Sequence, residues 1–565
     1  MLPRFEMTTP LPSLSDPARP ARRPRSLWFY ASLLIAALVA APLGALIWQA
    51  AQGSDGLWSH LLAYVLPHAL GQTAMLMLGV GVLVSMLGTG AAWLVTAYDF
   101  RGRRVLEWAL LLPLAVPTYI VAYAYLDLLH PLGPVQSAIR TLLGYDSPRQ
   151  FRLPDIRSMT GAIILLSLVL YPYVYLPTRA MFLTQAANLV EAARTLGTPR
   201  RKIFWRIAVP LARPAIAVGV SLALMETLND IGASEFLGVR SLTISIYTTW
   251  VTRSDLPGAA QISLAMIVLV VALVSLERWA RRRQRYSTSA QRARSFAPKR
   301  LTGRAQWAAF GLGALPVLFG FLIPAGFLAV EAWHRFRFAG LSDRLLTEAR
   351  NTLAISAVAT AGVLICGLII AYTARAFPGR AMPLIQRVAS LGYAMPGTVL
   401  ALGVLISAAS LDRLIDRSAQ EWFGVSTGLV LIGTGLALGY AYLLRFLAIS
   451  VGSIEAGLTR VPQSYDHAAR TLGRGLTGTF RDIHLPLSKA AMAAAGLLVF
   501  VDCMKELSAT LLLRPLNFET LATHLYGEAA RGTYEEASLA ALAIVAVGIL
   551  PVILLARIGR KDADR

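Results

Sequence analysis

Two short segments carry acidic side chains four residues apart in stretches that are otherwise apolar. Glu226 and Asp230 lie in the first segment, and their counterparts Asp502 and Glu506 recur at an offset of 276 residues. Residues four apart share one face of a helix. A carboxylate inside a membrane helix is costly, so it faces a bundle interior or a water-filled path. We therefore predict a polar pathway with these residues in its wall: Glu226, Asn229, Asp230, Asp502, Lys505 and Glu506.

The same acids also have a structural interpretation. If they lie near the membrane boundary, they cap helices or pair with Lys505 or Arg514. The symmetric placement of the two pairs favours the pathway, but the sequence leaves both interpretations open.

The sequence contains no pattern for catalysis, metal binding or a cofactor. The nucleotide-binding pattern G-x-x-x-x-G-K-[ST] is absent, and the seven histidines show no H-x-x-x-H spacing. Cys366 and Cys503 lie in apolar segments and are too few for a disulfide framework or a multi-thiolate site. We expect a chain that is not an enzyme, with no catalytic residue, metal site or cofactor.

A polar, basic pattern occurs twice between apolar segments. The first repeat loop begins with Glu191-Ala-Ala-Arg-Thr-Leu-Gly197 and ends at Pro210, and the second repeat loop begins with His467-Ala-Ala-Arg-Thr-Leu-Gly473 and ends at Pro486. The alanine pair leaves a helical face low enough to enter a groove on another protein, and the glycine ends the helix with a left-handed cap. We predict a helix, turn, helix shape and a docking role for Glu191, Ala192, Ala193, Gly197, Ala468, Ala469 and Gly473.

The composition is that of a membrane protein. Of the 565 residues, 56% are hydrophobic and 15% charged, and the mean hydropathy is +0.57. The formal charge of +22 does not indicate nucleic-acid binding, because the basic residues lie in short loops between apolar spans and no basic face is interleaved with aromatic residues.

Twelve apolar segments are long enough to cross a membrane as helices. They lie at residues 27–48, 69–97, 106–129, 159–183, 209–236, 259–279, 307–332, 352–374, 385–409, 427–449, 487–513 and 537–556. Six spans separate equivalent positions, so the two halves have the same orientation. The first span is too long for the core of a signal peptide, and we expect it to remain uncleaved.

The basic residues predict the division of the chain and its orientation. Residues 1–26 are expected to be a disordered tail attracted to anionic lipid, and residues 281–304, with nine basic and no acidic residues, to be a linker. The halves are then 27–280 and 305–558, followed by a short tail at 559–565. By the positive-inside rule, both termini, the linker and both repeat loops are cytoplasmic.

Prolines recur in the third span of each half. Pro113 and Pro117 lie in the third span of the chain, and Pro396 lies in its ninth. Proline removes a backbone donor and clashes with the preceding turn, so we predict that these spans are bent or interrupted. The bend is either a packed kink or a flexible gate helix.

The repeat loops resemble the EAA loop through which the permeases of binding-protein-dependent ABC importers contact their ATPases. In the second copy His467, preceded by Asp466, replaces the acidic Glu191. Stretches 225–250 and 502–523 are similar to the fused permeases of bacterial ferric-iron importers, and the similarity covers nearly the whole chain; thiamine permeases are close relatives. The resemblance implies a bacterial inner-membrane location, two cytoplasmic ATPase subunits, a periplasmic binding protein and alternating access.

Two other classes of protein also combine many spans in one chain. A secondary transporter needs a coupling site but no paired docking loops, and a membrane enzyme needs a catalytic cluster. The sequence therefore predicts an all-α polytopic membrane protein of the ABC importer permease type, with about twelve spans in two parallel six-helix halves. It is expected to form the path for ferric iron, or alternatively for thiamine or another small solute, while a separate subunit hydrolyses ATP.

Overall fold

A computed structural model describes residues 27–54, 56–184, 193, 197–281, 298–377 and 379–561. In these ranges the chain is almost entirely helical, with one pair of two-residue strands. Ten helices are long and apolar enough to cross a membrane, and two bent pairs bring the number to twelve if each pair is one span. The predicted all-α polytopic fold with about twelve spans is confirmed.

The helices of the first half follow the predicted spans, with four short helices between them. They are α1 (Leu27–Ala51), α2 (Trp58–Ala97), α3 (Arg103–Ala115), α4 (Thr118–Leu128), α5 (Pro134–Leu143), α6 (Met159–Leu170), α7 (Pro172–Thr184), α8 (Arg200–Ile203), α9 (Phe204–Asn229), α10 (Gly232–Phe236), α11 (Leu242–Val251) and α12 (Leu256–Arg281).

The second half repeats this order. Its helices are α13 (Arg304–Ala339), α14 (Asp343–Ala376), α15 (Ala381–Ala389), α16 (Leu391–Ala394), α17 (Gly397–Phe423), α18 (Leu436–Thr459), α19 (Gln463–Thr471), α20 (Leu476–Met504), α21 (Thr510–Leu513), α22 (Leu521–Arg531) and α23 (Tyr534–Lys561).

Both proline-bearing spans are broken, as predicted. Helices α3 and α4 meet at 90° around Pro117, whose backbone is extended, and Pro396 has the same conformation immediately before α17. A further bend of 44° separates α6 from α7 at Pro172, within the fourth predicted span, for which no bend was predicted. In each place the proline lacks the N–H that a continuous helix needs.

Several predicted spans have wrong boundaries: the second was expected to begin at 69 and the ninth to end at 409, but the helices begin at Trp58 and end at Phe423. The fifth and eleventh were expected to reach Phe236 and Leu513, but α9 ends at Asn229 and α20 at Met504. The tenth begins at Leu436 instead of 427. The residues before it are held by Asp412, which accepts hydrogen bonds from the backbone N–H groups of residues 431 and 432 at 2.7 and 3.1 Å. A side chain thus takes the place of helical hydrogen bonding there.

The first span of each half packs against the opposite half. Helix α1 lies mainly on α14, α15 and α17 of the second half as well as on α12, and the Ser32 hydroxyl donates to Thr373 at 2.9 Å. Helix α13 contacts α3, α4 and α6 in turn, and the Tyr125 hydroxyl donates to the carbonyl of Phe319 at 2.7 Å. Both large hydrophobic clusters of the interior therefore contain side chains from both halves.

Part of the predicted linker is ordered against the first half. Strand β2 (Lys299–Arg300) pairs in parallel with β1 (Tyr98–Asp99), the residues that follow α2. The N–H of Leu301 also donates to the carbonyl of Asp99 at 2.8 Å. Residues 282–297, the centre of the predicted linker, lie outside the described residues.

Candidate functional site

A polar cavity of about 170 Å³ lies where the two halves meet. Its wall is built from the α3–α4 and α16–α17 breaks, the ends of α9 and α20, and parts of α6, α7, α12 and α18. Irregular backbone at membrane depth is tolerated where it lines such a cavity. The structure brings all six predicted pathway residues together in this wall: Glu226, Asn229, Asp230, Asp502, Lys505 and Glu506.

The sequence spacing suggested that the two acids of each pair share one helical face, but the structure shows a different arrangement. Glu226 and Asp502 lie in α9 and α20, but Asp230 and Glu506 follow the ends of these helices and cap the next ones. Asp230 accepts from the N–H groups of residues 233 and 234 at 2.7 and 3.2 Å. Glu506 accepts from residues 509 and 510 at 2.9 and 3.0 Å. The helix-cap interpretation therefore describes the second acid of each pair.

Two cations neutralise the carboxylates of the second half. The Arg445 guanidinium lies 3.1 Å from Glu506, and the exposed fractions of the two side chains are 12% and 2%. The Lys505 ammonium lies 2.8 Å from Asp502, and each of these side chains is 30% exposed. Both cations come from the second half.

The first half has no cation at the matching positions. Val169 stands where the second half has Arg445, at the same distance before the repeat loop, and Asn229 stands where it has Lys505. Asp230 is instead hydrogen-bonded by the Thr118 hydroxyl. The half-buried Glu226 lines the cavity without a hydrogen-bond or ion-pair partner among the described residues.

The cavity wall is therefore electrostatically unequal on its two sides. Four carboxylates face two cations, which gives a formal surplus of two negative charges. Because Arg445 and Lys505 are each paired within the second half, the surplus lies on the wall formed by the first half. Such a wall attracts cations and disfavours anions.

Several hydrogen bonds cross between the halves at the cavity. The Asn229 side-chain oxygen accepts from the N–H of Gly397 at 2.6 Å, and its backbone carbonyl accepts from the Ser508 hydroxyl at 2.8 Å. The Tyr119 hydroxyl donates to the carbonyl of Lys505 at 3.3 Å. Asn229 thus joins the two halves, and its side-chain oxygen is already occupied.

Further contacts join the two halves at the short helices α10 and α22. The Tyr526 hydroxyl, on α22, donates to the Glu235 carboxylate, on α10. The ring of Tyr526 also stacks on Phe236, with centroids 5.6 Å apart. These contacts between the halves lie beyond the ends of α9 and α20.

The described parts of the two repeat loops have the same cap geometry. Gly197 and Gly473 have φ values of +77° and +75°. The N–H of the next residue donates to the carbonyl of Ala193 at 3.0 Å in the first loop and of Ala469 at 2.9 Å in the second. The left-handed glycine caps are confirmed, as is the helix, turn, helix shape of the second loop.

The alanine pair does not form one outward face. Ala468 is exposed, whereas Ala469 is 3% and Ala193 7% exposed, so these two pack inside the protein. The exposed surface of the second loop instead includes Leu472, which is 81% exposed. Glu191 and Ala192 lie outside the described residues.

Each repeat loop enters its long helix through a widened turn. Residues Phe204–Ala208 and Phe480–His484 form π-helical turns immediately before the helical segments that carry Pro210 and Pro486. Proline cannot donate to the usual carbonyl, and the wider turn accommodates it without ending the helix. The two loops therefore connect directly to α9 and α20, and hence to the cavity.

Sequence reasoning missed Arg445, Thr118 and the tyrosines Tyr173 and Tyr393 of the wall. A signal for Arg445 existed, because it is a lone charge inside a predicted span, and such a charge indicates a functional site. Within the described ranges, no three His, Cys, Asp or Glu side chains are grouped to hold a metal ion.

The fold and the cavity are those of a membrane permease subunit made of two similar halves around one shared cavity. The family described as "Binding-protein-dependent transport system inner membrane component" matches twice, at residues 84–286 and 363–562. The chain belongs to this family, and it is a multi-pass protein of the inner membrane.

Relatives of the chain have several different names. It is 25% identical over 495 residues to the Fe(3+)-transport system permease protein FbpB 2 of Haemophilus influenzae, covering 87% of this chain and 90% of that protein. It is 29% identical to the molybdenum transport system permease protein ModB of Escherichia coli over 35% of this chain and 86% of that protein. It is also 27% identical to a putative 2-aminoethylphosphonate transport system permease protein of Salmonella choleraesuis, over 45% of this chain and 91% of that protein.

Proposed function

We propose that the chain forms the translocation path for ferric iron in an ATP-driven importer. A periplasmic binding protein delivers the substrate, and two cytoplasmic ATPase subunits bind the repeat loops and hydrolyse ATP. In this arrangement both termini and both loops are cytoplasmic, and the cavity is reached alternately from the two sides of the membrane.

The charge of the cavity wall is the observation that carries the choice of a cation. Fe(III) is a hard ion that prefers oxygen ligands, and Glu226 offers a carboxyl group that has no direct hydrogen-bond or ion-pair partner among the described residues. For molybdate or a phosphonate, a free cation would be needed, but Arg445 and Lys505 are each paired with an acid. The likeness to the ferric permease, which extends over both halves, also supports iron.

Glu226 then serves as a transient contact, not as a storage site. One unpaired carboxylate attracts a passing cation, whereas tight coordination would prevent release. Asp502 and Lys505 are half-exposed to the same cavity, so the Lys505 ammonium lowers the cation affinity of the second wall. Iron is therefore expected to pass along the wall formed by the first half.

The test is uptake of radiolabelled ferric iron, thiamine and molybdate by cells that depend on this transporter. Glu226→Gln should slow iron uptake about tenfold, because a contact with a charged group is worth roughly 1.5–3 kcal/mol. Glu421→Gln is the matched control, since this exposed acid at the end of α17 lies outside the cavity. Assembly with the ATPase should be normal in both variants.

Three results would each contradict a different part of the proposal. Molybdate uptake without iron uptake would show that the substrate is an anion. Unchanged iron uptake by Glu226→Gln would remove this residue from the path. Thiamine uptake without iron uptake would keep the cationic path but replace the proposed substrate.

A further inference from the structure

A buried polar cluster ties the second repeat loop to the membrane helices. Asp466, on α19, accepts from Arg375 Nε and Nη2 at 3.0 and 2.7 Å. Its other oxygen lies 2.6 Å from Nε2 of His484. The exposed fractions of the Arg375 and Asp466 side chains are 15% and 17%, and His484 is fully buried. One carboxylate therefore holds a guanidinium and an imidazole at the base of the loop.

Arg375 also binds the end of α18. Its Nη1 and Nη2 donate to the carbonyls of Leu458 and Val461 at 2.5 and 2.8 Å. The cluster thus joins the end of α14, the end of α18, the loop helix α19 and the first turns of α20. A planar guanidinium that makes several directed hydrogen bonds fixes the relative orientation of these segments.

The ionised form of Asp466 is favoured by its partners. Burial raises the pKa of this carboxyl, but the hydrogen bonds from Arg375 and His484 outweigh burial and hold the pKa below its ordinary value. The carboxylate is therefore charged at neutral pH. The stabilisation that it gives is present above the ordinary pKa of an aspartate and is lost as the pH falls through the lowered value.

Aromatic packing supports the same junction. The ring of Tyr372 lies 5.5 Å from that of His484 and 4.9 Å from that of Phe480. The Tyr372 hydroxyl donates to the carbonyl of Leu476, where α20 begins, at 2.6 Å. The loop is therefore in contact with α14 along its whole entry into α20.

The first repeat loop has none of the three polar residues. At the offset of 276, Asp466 and His484 match Val190 and Ala208, and at the offset of 277 that relates Phe377 to Phe100, Arg375 matches Tyr98. These side chains cannot form ion pairs. The difference is a property of the sequence and does not depend on the placement of the first loop.

We infer that Arg375, Asp466 and His484 are positioning residues that make the second repeat loop and α20 one rigid lever. This inference rests on the proposed function. When an ATPase displaces the loop, the rigid unit carries the displacement to Lys505 and Glu506, because α20 ends beside them. The first half does not have this latch of three side chains at the matching positions.

The test measures coupling in the complete transporter, reconstituted in vesicles with its ATPase and binding protein. Asp466→Asn keeps the size of the side chain but removes its charge, and it should raise the ATP consumed per substrate at least threefold. Asp466→Glu should restore much of the coupling. Glu455→Gln is the matched control on the same side of the protein, where an exposed acid accepts from Gln386 at 3.2 Å, and its ratio should match the wild type.

The outcomes separate the latch from the proposed function. If the wild type shows no ATP-driven uptake, the proposed function fails, and the latch fails with it. If the wild type transports and Asp466→Asn has an unchanged ratio, the latch alone is refuted. If Asp466→Asn does not assemble, Arg375→Lys replaces it in the test. This variant keeps the positive charge but loses the planar guanidinium and its directed hydrogen bonds. An unchanged ratio of ATP to substrate in Arg375→Lys also refutes the latch.

Discussion

The ion pair between Arg445 and Glu506 should be strongly coupled in the free energy of unfolding. The two groups are 3.1 Å apart and nearly buried, and removal of one partner of a buried pair costs about 3–5 kcal/mol. Glu506 keeps hydrogen bonds from residues 509 and 510 when Arg445 is replaced. We therefore expect Arg445→Met to cost about 3 kcal/mol, at the lower end of that range.

Removal of both charges should cost much less than the sum of the single changes. Glu506→Gln leaves Arg445 unpaired, and it should also cost about 3 kcal/mol. In the double variant no charge is left without a partner. The expected interaction energy is about 2 kcal/mol, within the range of roughly 0.5–3 kcal/mol for groups in contact.

The wild type, the two single variants and the double variant form a double-mutant cycle. Equilibrium unfolding in mixed detergent micelles measures the free energy of unfolding of each of these four proteins. A matched cycle on Asp502 and Lys505 is the control, because these side chains are 2.8 Å apart but 30% exposed. Water in the cavity should reduce their coupling to below about 1 kcal/mol. Additive effects within about 0.5 kcal/mol at Arg445 and Glu506, or a larger coupling for the exposed pair, would refute the reasoning.

Three further predictions concern the caps and the connection between the halves. Gly197→Ala and Gly473→Ala should each cost about 1–2 kcal/mol because φ is positive there; unchanged thermal stability would contradict this. Asp230→Ala should lower stability by about 1 kcal/mol through loss of a cap and slow uptake, and a normal uptake rate would limit Asp230 to a structural role. Cutting the chain within residues 287–295 and coexpressing the fragments should restore uptake; full uptake by either half alone would contradict the packing of α1 and α13 on opposite halves.

The parts of the structure that the sequence predicted are those encoded by local patterns. Apolar runs predicted the spans, and a constant offset predicted two similar halves and their matched acids. Pro117 and Pro396 indicated the broken helices because proline acts on its own backbone. The glycine caps followed in the same way from a residue type that tolerates positive φ.

The parts that the sequence did not predict depend on partners distant in the chain. Helices α9 and α20 end where they do because the Asp230 and Glu506 carboxylates accept hydrogen bonds from backbone N–H groups at the start of the next helices. Arg445 was missed because its role depends on Glu506, 61 residues away. The sequence pattern placed both alanines of the pair on one outward face, but tertiary packing buries Ala469. The helical period of the sequence alone does not reveal this burial.

The packing of α1 on the second half has a consequence for biosynthesis. Most of the surface that α1 covers belongs to α14, α15 and α17, and α17 begins about 350 residues after α1 ends. At roughly 5–20 residues per second, the ribosome needs on the order of half a minute to supply it. During that interval α1 rests in lipid or against an insertion factor, with small and polar side chains such as Ser32 unmatched. Completion of the packing around α1 is therefore a late event, and a chain interrupted before α17 leaves part of the α1 surface uncovered.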